Sequence, residues 1–142
     1  MRAQHQLLHS RARVRPRYAL FPLEGYPLSR LPHWPGVEAR VLASPALGAA
    51  FVEELLDLKQ GQGGGAKADG RIETFLYVVS GGVELTVDGR KHPLRPGGYC
   101  LVPPTVDLAV VATADSRLIL LKKAYEPLAG VTRSEEHTSE LQ

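Results

Sequence analysis

Residues 73–104 read ETFLYVVSGGVELTVDGRKHPLRPGGYCLVPP, and the fold turns on how this stretch is divided. VELTV (Val83 to Val87) alternates apolar and polar side chains over five residues, the period of two that a strand with one buried face requires. Asp88-Gly89 follows, a pair that accepts the backbone angles of a tight hairpin turn. Upstream, TFLYVV (Thr74 to Val79) is rich in β-branched and aromatic residues and closes on Ser80-Gly81-Gly82, so it reads as the antiparallel partner of VELTV. Gly97-Gly98 then opens YCLV (Tyr99 to Val102), a further strand that Pro103-Pro104 ends.

The same rhythm extends to both sides. LAVVA (Leu108 to Ala112) and RLILLKK (Arg117 to Lys123) read as strands separated by Thr113-Ala114-Asp115-Ser116, and VEARVLAS (Val37 to Ser44) as an earlier one. Short strands at regular spacing point to an all-β sandwich or closed barrel rather than a parallel βαβ sheet. FVEELLDLK (Phe51 to Lys59) dissents, with apolar residues at helical spacing among good helix formers; the all-β context overrules it. GQGGGA (Gly61 to Ala66) lacks the Gly-Lys-Ser/Thr ending of a phosphate-binding loop and reads as a flexible connector between strands.

At 142 residues the chain has material for one core, not two ordinary domains. Its 44% hydrophobic and 23% charged residues exclude wholesale disorder. It has no apolar run of about 18 residues, which gives no membrane helix and no membrane partner. The N-terminus has no apolar signal core, which places the protein in the cytoplasm. The lone Cys100 lies in an apolar run with no histidine near it in sequence and reads as a buried small hydrophobe. Arg2, Arg11, Arg13, Arg15 and Arg17 make residues 1–17 a basic arm, but the net charge is only +2 and no aromatic residue interleaves the arm. A solvated or packed extension is expected there, and no nucleic-acid partner.

The last ten residues, RSEEHTSELQ (Arg133 to Gln142), are polar and aperiodic. One reading frame of a common sequencing-library adapter encodes them without a mismatch. Residues 131–142 are therefore set aside as a non-native, adapter-like tail, and Glu135, Glu136 and His137 are kept out of any site. The natural chain is expected to continue past Thr132, and the folded domain to span residues 18–130.

ETFLYVVSGGVELTVDGRKHPLRPGGYCLVPP resembles the double hairpin of the cupin fold, a small antiparallel barrel with two signature motifs. The first motif is G-x5-H-x-H-x3,4-E-x6-G and the second G-x5-P-x-G-x2-H-x3-N. Gly81 matches the closing glycine of the first motif, which puts Thr74 at the glutamate position, with Glu73 one residue off, and the two histidine positions within AKADGR (Ala66 to Arg71). In the second motif Gly97 and Pro103 match, Thr105 replaces the glycine and Leu108 the histidine. A divalent metal needs about three or four N or O donors converging on one point. His5, His9, His33 and His92 lie elsewhere, and no His-x-His pair occurs. The expectation is that this chain holds no metal, cofactor-binding or catalytic residue.

A narrower resemblance rests on YALFPLEGYPLSRLPHWPG (Tyr18 to Gly36), VLASPALGAAFVEELLDL (Val41 to Leu58), ETFLYVVSG and KKAYEPLAG (Lys122 to Gly130). Together these are similar to the N-terminal half of (S)-ureidoglycine aminohydrolases, bicupins of allantoin breakdown. The resemblance implies a metal-free first cupin and a second cupin carrying manganese. Full length, such an enzyme hydrolyses ureidoglycine to ureidoglycolate and ammonia, and this part alone is expected to be structural and inactive. The resemblance also implies the missing second cupin as partner, a homo-oligomer at full length, and an exposed apolar patch that leaves the isolated part self-associating or marginal.

Two other readings compete. A stand-alone metal-free cupin would hold a small ligand if Tyr77, Glu84, Thr86 and Tyr99 faced inward, although the tyrosines more simply fill the core or its rim. A metal-independent isomerase would need an inward histidine or glutamate as base, and no histidine is placed inside a barrel strand.

Overall fold

The computed structural model describes residues 12–127, all of them in strands, 3₁₀ turns and loops. Residues 1–11 of the arm and the whole of 131–142 lie outside the described residues. The strands are β1 (Arg13–Val14), β2 (Ala19–Leu20), β3 (Glu38–Ala43), β4 (Val52–Leu58), β5 (Gly63–Ala66) and β6 (Ile72–Ser80), followed by β7 (Val83–Val87), β8 (Arg90–Leu94), β9 (Tyr99–Val102), β10 (Leu108–Ala112) and β11 (Ser116–Ala124). They form a five-stranded sheet in the order β3-β4-β11-β6-β9 and a four-stranded sheet in the order β5-β10-β7-β8, antiparallel throughout. One apolar core joins them: Leu56, Leu76, Leu118 and Leu120 from the larger sheet meet Leu85, Leu94, Leu108 and Val110 from the smaller. The longer strands contribute alternate residues to this core, as the pleat dictates. In β6, for example, Thr74, Leu76 and Val78 are buried while Tyr77 and Val79 are exposed.

Phe51 to Lys59, whose local spacing is helical, contains β4, which pairs with β3 on one side and with β11 on the other. Tertiary context prevails because a helix here would leave the facing edges of both neighbours without partners. Glycine-rich 61–66 is not a flexible connector. Gly63–Ala66 is an edge strand paired with β10, and Gly65 N–H donates to the His33 carbonyl. A Cβ on Gly64 would run into the Trp34 ring and the His33 carbonyl, so glycine is needed for close approach rather than for freedom.

The reading of Thr74–Val79 as the partner of VELTV also needs correction. β6 pairs with β11 and β9, whereas β7 pairs with β10 and β8. Ser80-Gly81-Gly82 is therefore a crossover between sheets, not a hairpin turn. Gly81 has φ +81°, and Ser116 Oγ accepts from Gly82 N–H at 2.9 Å, tying the crossover to the start of β11. Asp88-Gly89 is the hairpin turn expected, both residues having positive φ (51° and 74°) between β7 and β8. Cys100 is buried in the core. Arg13–Val14 of the arm folds back on Ala19–Leu20, and this hairpin shares a surface hollow with Leu42, Leu47 and Glu53. Among the described residues no helix is long and apolar enough to cross a membrane.

Candidate functional site

The signature positions can now be placed. Thr74 is 4% exposed on the inner face of β6, and Leu108 is 3% exposed on the inner face of β10. Glu73 belongs to the opposite face of β6: it shares a surface hollow with Phe51, Phe75 and Leu101, which a one-residue offset in a strand makes unavoidable. The histidine positions fall on β5's last residue and the loop that follows it. That loop is held to the second motif, Asp69 and Gly70 N–H both donating to the Pro104 carbonyl. The loop's one acid, Asp69, accepts from Arg71 N–H at 2.7 Å and Ile72 N–H at 2.9 Å. Those two backbone donors hold its carboxyl below the usual carboxylate range. A neighbouring acid, Asp107, accepts from Ala68 N–H at 2.7 Å. Both carboxylates thus shape the loop. Threonine, leucine and a loop carboxylate already engaged by amides do not fit a divalent metal, and the described residues contain no group of three or more His, Cys, Asp or Glu side chains able to hold one.

The interior nonetheless has charge, and the sequence reading missed it. Glu54 shares the inner face of β4 with Leu56 and Leu58, its side chain 2% exposed. Lys122 shares the inner face of β11 with Leu118 and Leu120, directly opposite Thr74 in the β11–β6 register. Its Nζ stands 2.6 Å from Glu54 Oε1, but off the angle of a hydrogen bond, so that oxygen has no aligned donor. The signal was present: once 52–58 is a strand, Glu54 must lie on the side of Leu56 and Leu58. Lys122 is 31% exposed, which places its ammonium toward the solvent end of the interior.

The polar groups offered for a bound ligand point the other way. Tyr77 is 37% exposed on the outer face of β6, directly opposite Tyr99 of β9, while Leu76 and Cys100 take the inner face. Glu84 and Thr86 sit outside β7, opposite Val111 and Ala109, because Val83 and Leu85 are the buried members of that strand. None of the four faces inward, and the tyrosines fill neither core nor rim. No histidine was expected inside a barrel strand, yet His92 lies on β8 opposite the buried Leu85, half-buried on the core face of an edge strand. On the outer face of the larger sheet Arg117 donates from Nε and Nη2 to Asp57 at 2.7 and 3.0 Å, with Arg40 Nη1 at 3.4 Å. The Asp57 hydrogen bonds hold the Arg117 guanidinium above its ordinary value.

The cupin domain family model matches residues 54–122, from β4 to β11. The domain has the cupin fold. The resemblance to (S)-ureidoglycine aminohydrolases also holds: this cupin is 35% identical over 131 residues to the (S)-ureidoglycine aminohydrolase of Escherichia coli K12, a match covering 89% of this chain and 50% of that protein. The crystal structure of protein Ylba from E. coli superposes with a TM-score of 0.77 at 35% identity, covering 91% of this chain and 55% of that one. KdgF from Halomonas sp. shares the fold, with a TM-score of 0.63 at 23% identity, over 75% of this chain and 94% of that one. The chain spans about half the length, or less, of the curated relatives it matches.

Proposed function

We propose that this cupin is the first half of a two-cupin (S)-ureidoglycine aminohydrolase, a structural half with no catalytic or metal-binding residue of its own. In this reading the second half carries the manganese, and the intact protein acts in the cytoplasm as a homo-oligomer, releasing ammonia from ureidoglycine to leave ureidoglycolate. The observation that carries it is the chemistry of the inner face. Where the signature motifs call for imidazole and carboxylate, the barrel holds Thr74 and Leu108, and the one buried carboxylate among the described residues, Glu54, is neutralised by Lys122. A metal supplies Lewis acidity and an activated water only where donors converge, and here they do not. The similarity to half of the E. coli enzyme supports the assignment of the other half to catalysis.

The decisive experiment measures ammonia release from ureidoglycine in the presence of manganese. The 142-residue chain is expected to release none above the uncatalysed rate, and the chain extended by its natural continuation to turn over substrate. Activity from the 142-residue chain alone would refute the division of labour.

A further inference from the structure

The two sheets present very different outer faces. Outside the four-stranded sheet stand Glu84, Thr86, Ala109, Val111 and glycines of β5. The larger sheet carries Phe75, Tyr77, Tyr99, Leu101 and Leu121 on its outer side, with Phe51 beside them, and Tyr77 and Phe51 are each more than a third exposed. The Phe75 and Tyr99 rings pack at a 31° tilt with centroids 5.8 Å apart. The Arg40–Asp57–Arg117 cluster borders this apolar area, and Arg40 Nε is buried there without a hydrogen-bond partner. Glu73 and Lys123, paired across β6 and β11, stand at the end of the hollow lined by Phe51, Phe75 and Leu101. Exposed aromatic side chains with arginine and this charged pair at the margin are the composition of interface centres rather than of ordinary surface.

We propose that the outer face of the five-stranded sheet is the docking surface for the second cupin of the same polypeptide. This rests on the two-cupin reading above. Three observations select that occupant. The relatives this chain matches are about twice its length or more, so a second body of similar size is available to cover the face. β11 runs through this sheet and ends one residue after Lys123, which lines the same hollow as Phe51, Phe75 and Leu101, so the last strand ends at the rim of the apolar area. A tethered partner leaving from that rim meets the face at high effective concentration. The size also suits: five strands about 4.8 Å apart and roughly seven residues long at about 3.3 Å each span about 500 Å² in plane, enough for one side of an interdomain contact.

The test compares the natural, longer chain with the 142-residue chain by maleimide labelling of Tyr77→Cys at low micromolar protein, with Tyr99→Cys as a second reporter and the exposed Val111→Cys on the other sheet as control. In the longer chain both tyrosine-site cysteines are expected to label slower by about tenfold or more, the factor that each ~1.4 kcal/mol of docking free energy gives. Val111→Cys should label alike in both. Equal labelling of Tyr77→Cys and Tyr99→Cys in a longer chain that folds with two cupins overturns the docking face while leaving the two-cupin reading intact. Slow labelling in the 142-residue chain that recovers on dilution assigns the face to a second copy and overturns the proposal. A natural gene without a second cupin removes both readings at once.

Discussion

Lys122 and Glu54 show how a single charge pair is set by its surroundings. Glu54 is almost wholly buried among leucines and Lys122 is its one counter-ion among the described residues, so losing the lysine strands a carboxylate in the core. Removing one partner of a fully buried pair costs roughly 3–5 kcal/mol, and the partial exposure of Lys122 puts this case at or below the lower end of that range. Lys122→Met should therefore lower the urea midpoint markedly, while Glu54→Leu combined with Lys122→Met should recover most of the loss; a double variant as unstable as the single would show that the pair is not what matters. Asp69 acts differently, because it is exposed and its partners are two backbone amides. Its folded pKa is lowered, so its contribution is fully present above the unfolded carboxylate value near about pH 4 and is lost as pH falls through the lower folded value. The melting-temperature gap between the wild type and Asp69→Ala should be constant from pH 5 to 7 and close below pH 4, and a gap unchanged at pH 2 would assign the loop's stability to Pro104 instead.

Strand existence was legible in the sequence, and strand pairing was not. LAVVA is β10 residue for residue and VELTV is β7, because alternation and turn chemistry are local properties. Which strands become neighbours is decided by sequence-distant contacts, and the switch of sheets at Gly81-Gly82 left no local mark that distinguishes it from a hairpin. Its enforcement comes from 34 residues away, where the Ser116 hydroxyl accepts from Gly82 N–H and lies within donating distance of the Gly82 and Ala114 carbonyls. Ser116→Ala leaves the Gly82 amide without that acceptor, at a cost of about 1–3 kcal/mol. Equilibrium denaturation should show that loss, with faster amide exchange at Gly82; an unchanged midpoint would mean the glycines alone hold the crossover. The same distinction explains the site. The replacement of ligands by Thr74 and Leu108 could be counted along the chain, but the inward Glu54–Lys122 pair needed β4 to be known as a strand, and the glycine strand β5 needed Trp34 packed against it.

At the scale of the whole molecule, the docking proposal makes one substitution on the outer face of the larger sheet act differently in two lengths of chain. Leu101 lies on β9, an edge strand, and points away from the core that Cys100 and Val102 enter. In the isolated cupin a lysine there disturbs little packing, so Leu101→Lys should change stability by about 1 kcal/mol or less, near the range of surface substitutions. It should also reduce concentration-dependent light scattering, because it interrupts an apolar patch with nothing described upon it. In the longer protein the same lysine would be buried against a partner without a counter-charge, and near the centre of an interface such a change costs about 2 kcal/mol or more. Thermal melts of Leu101→Lys in both chains, read beside scattering at high concentration, therefore measure what the face is for: a cost confined to the longer chain marks a docked surface, and equal small effects in both mark a surface that stays in water.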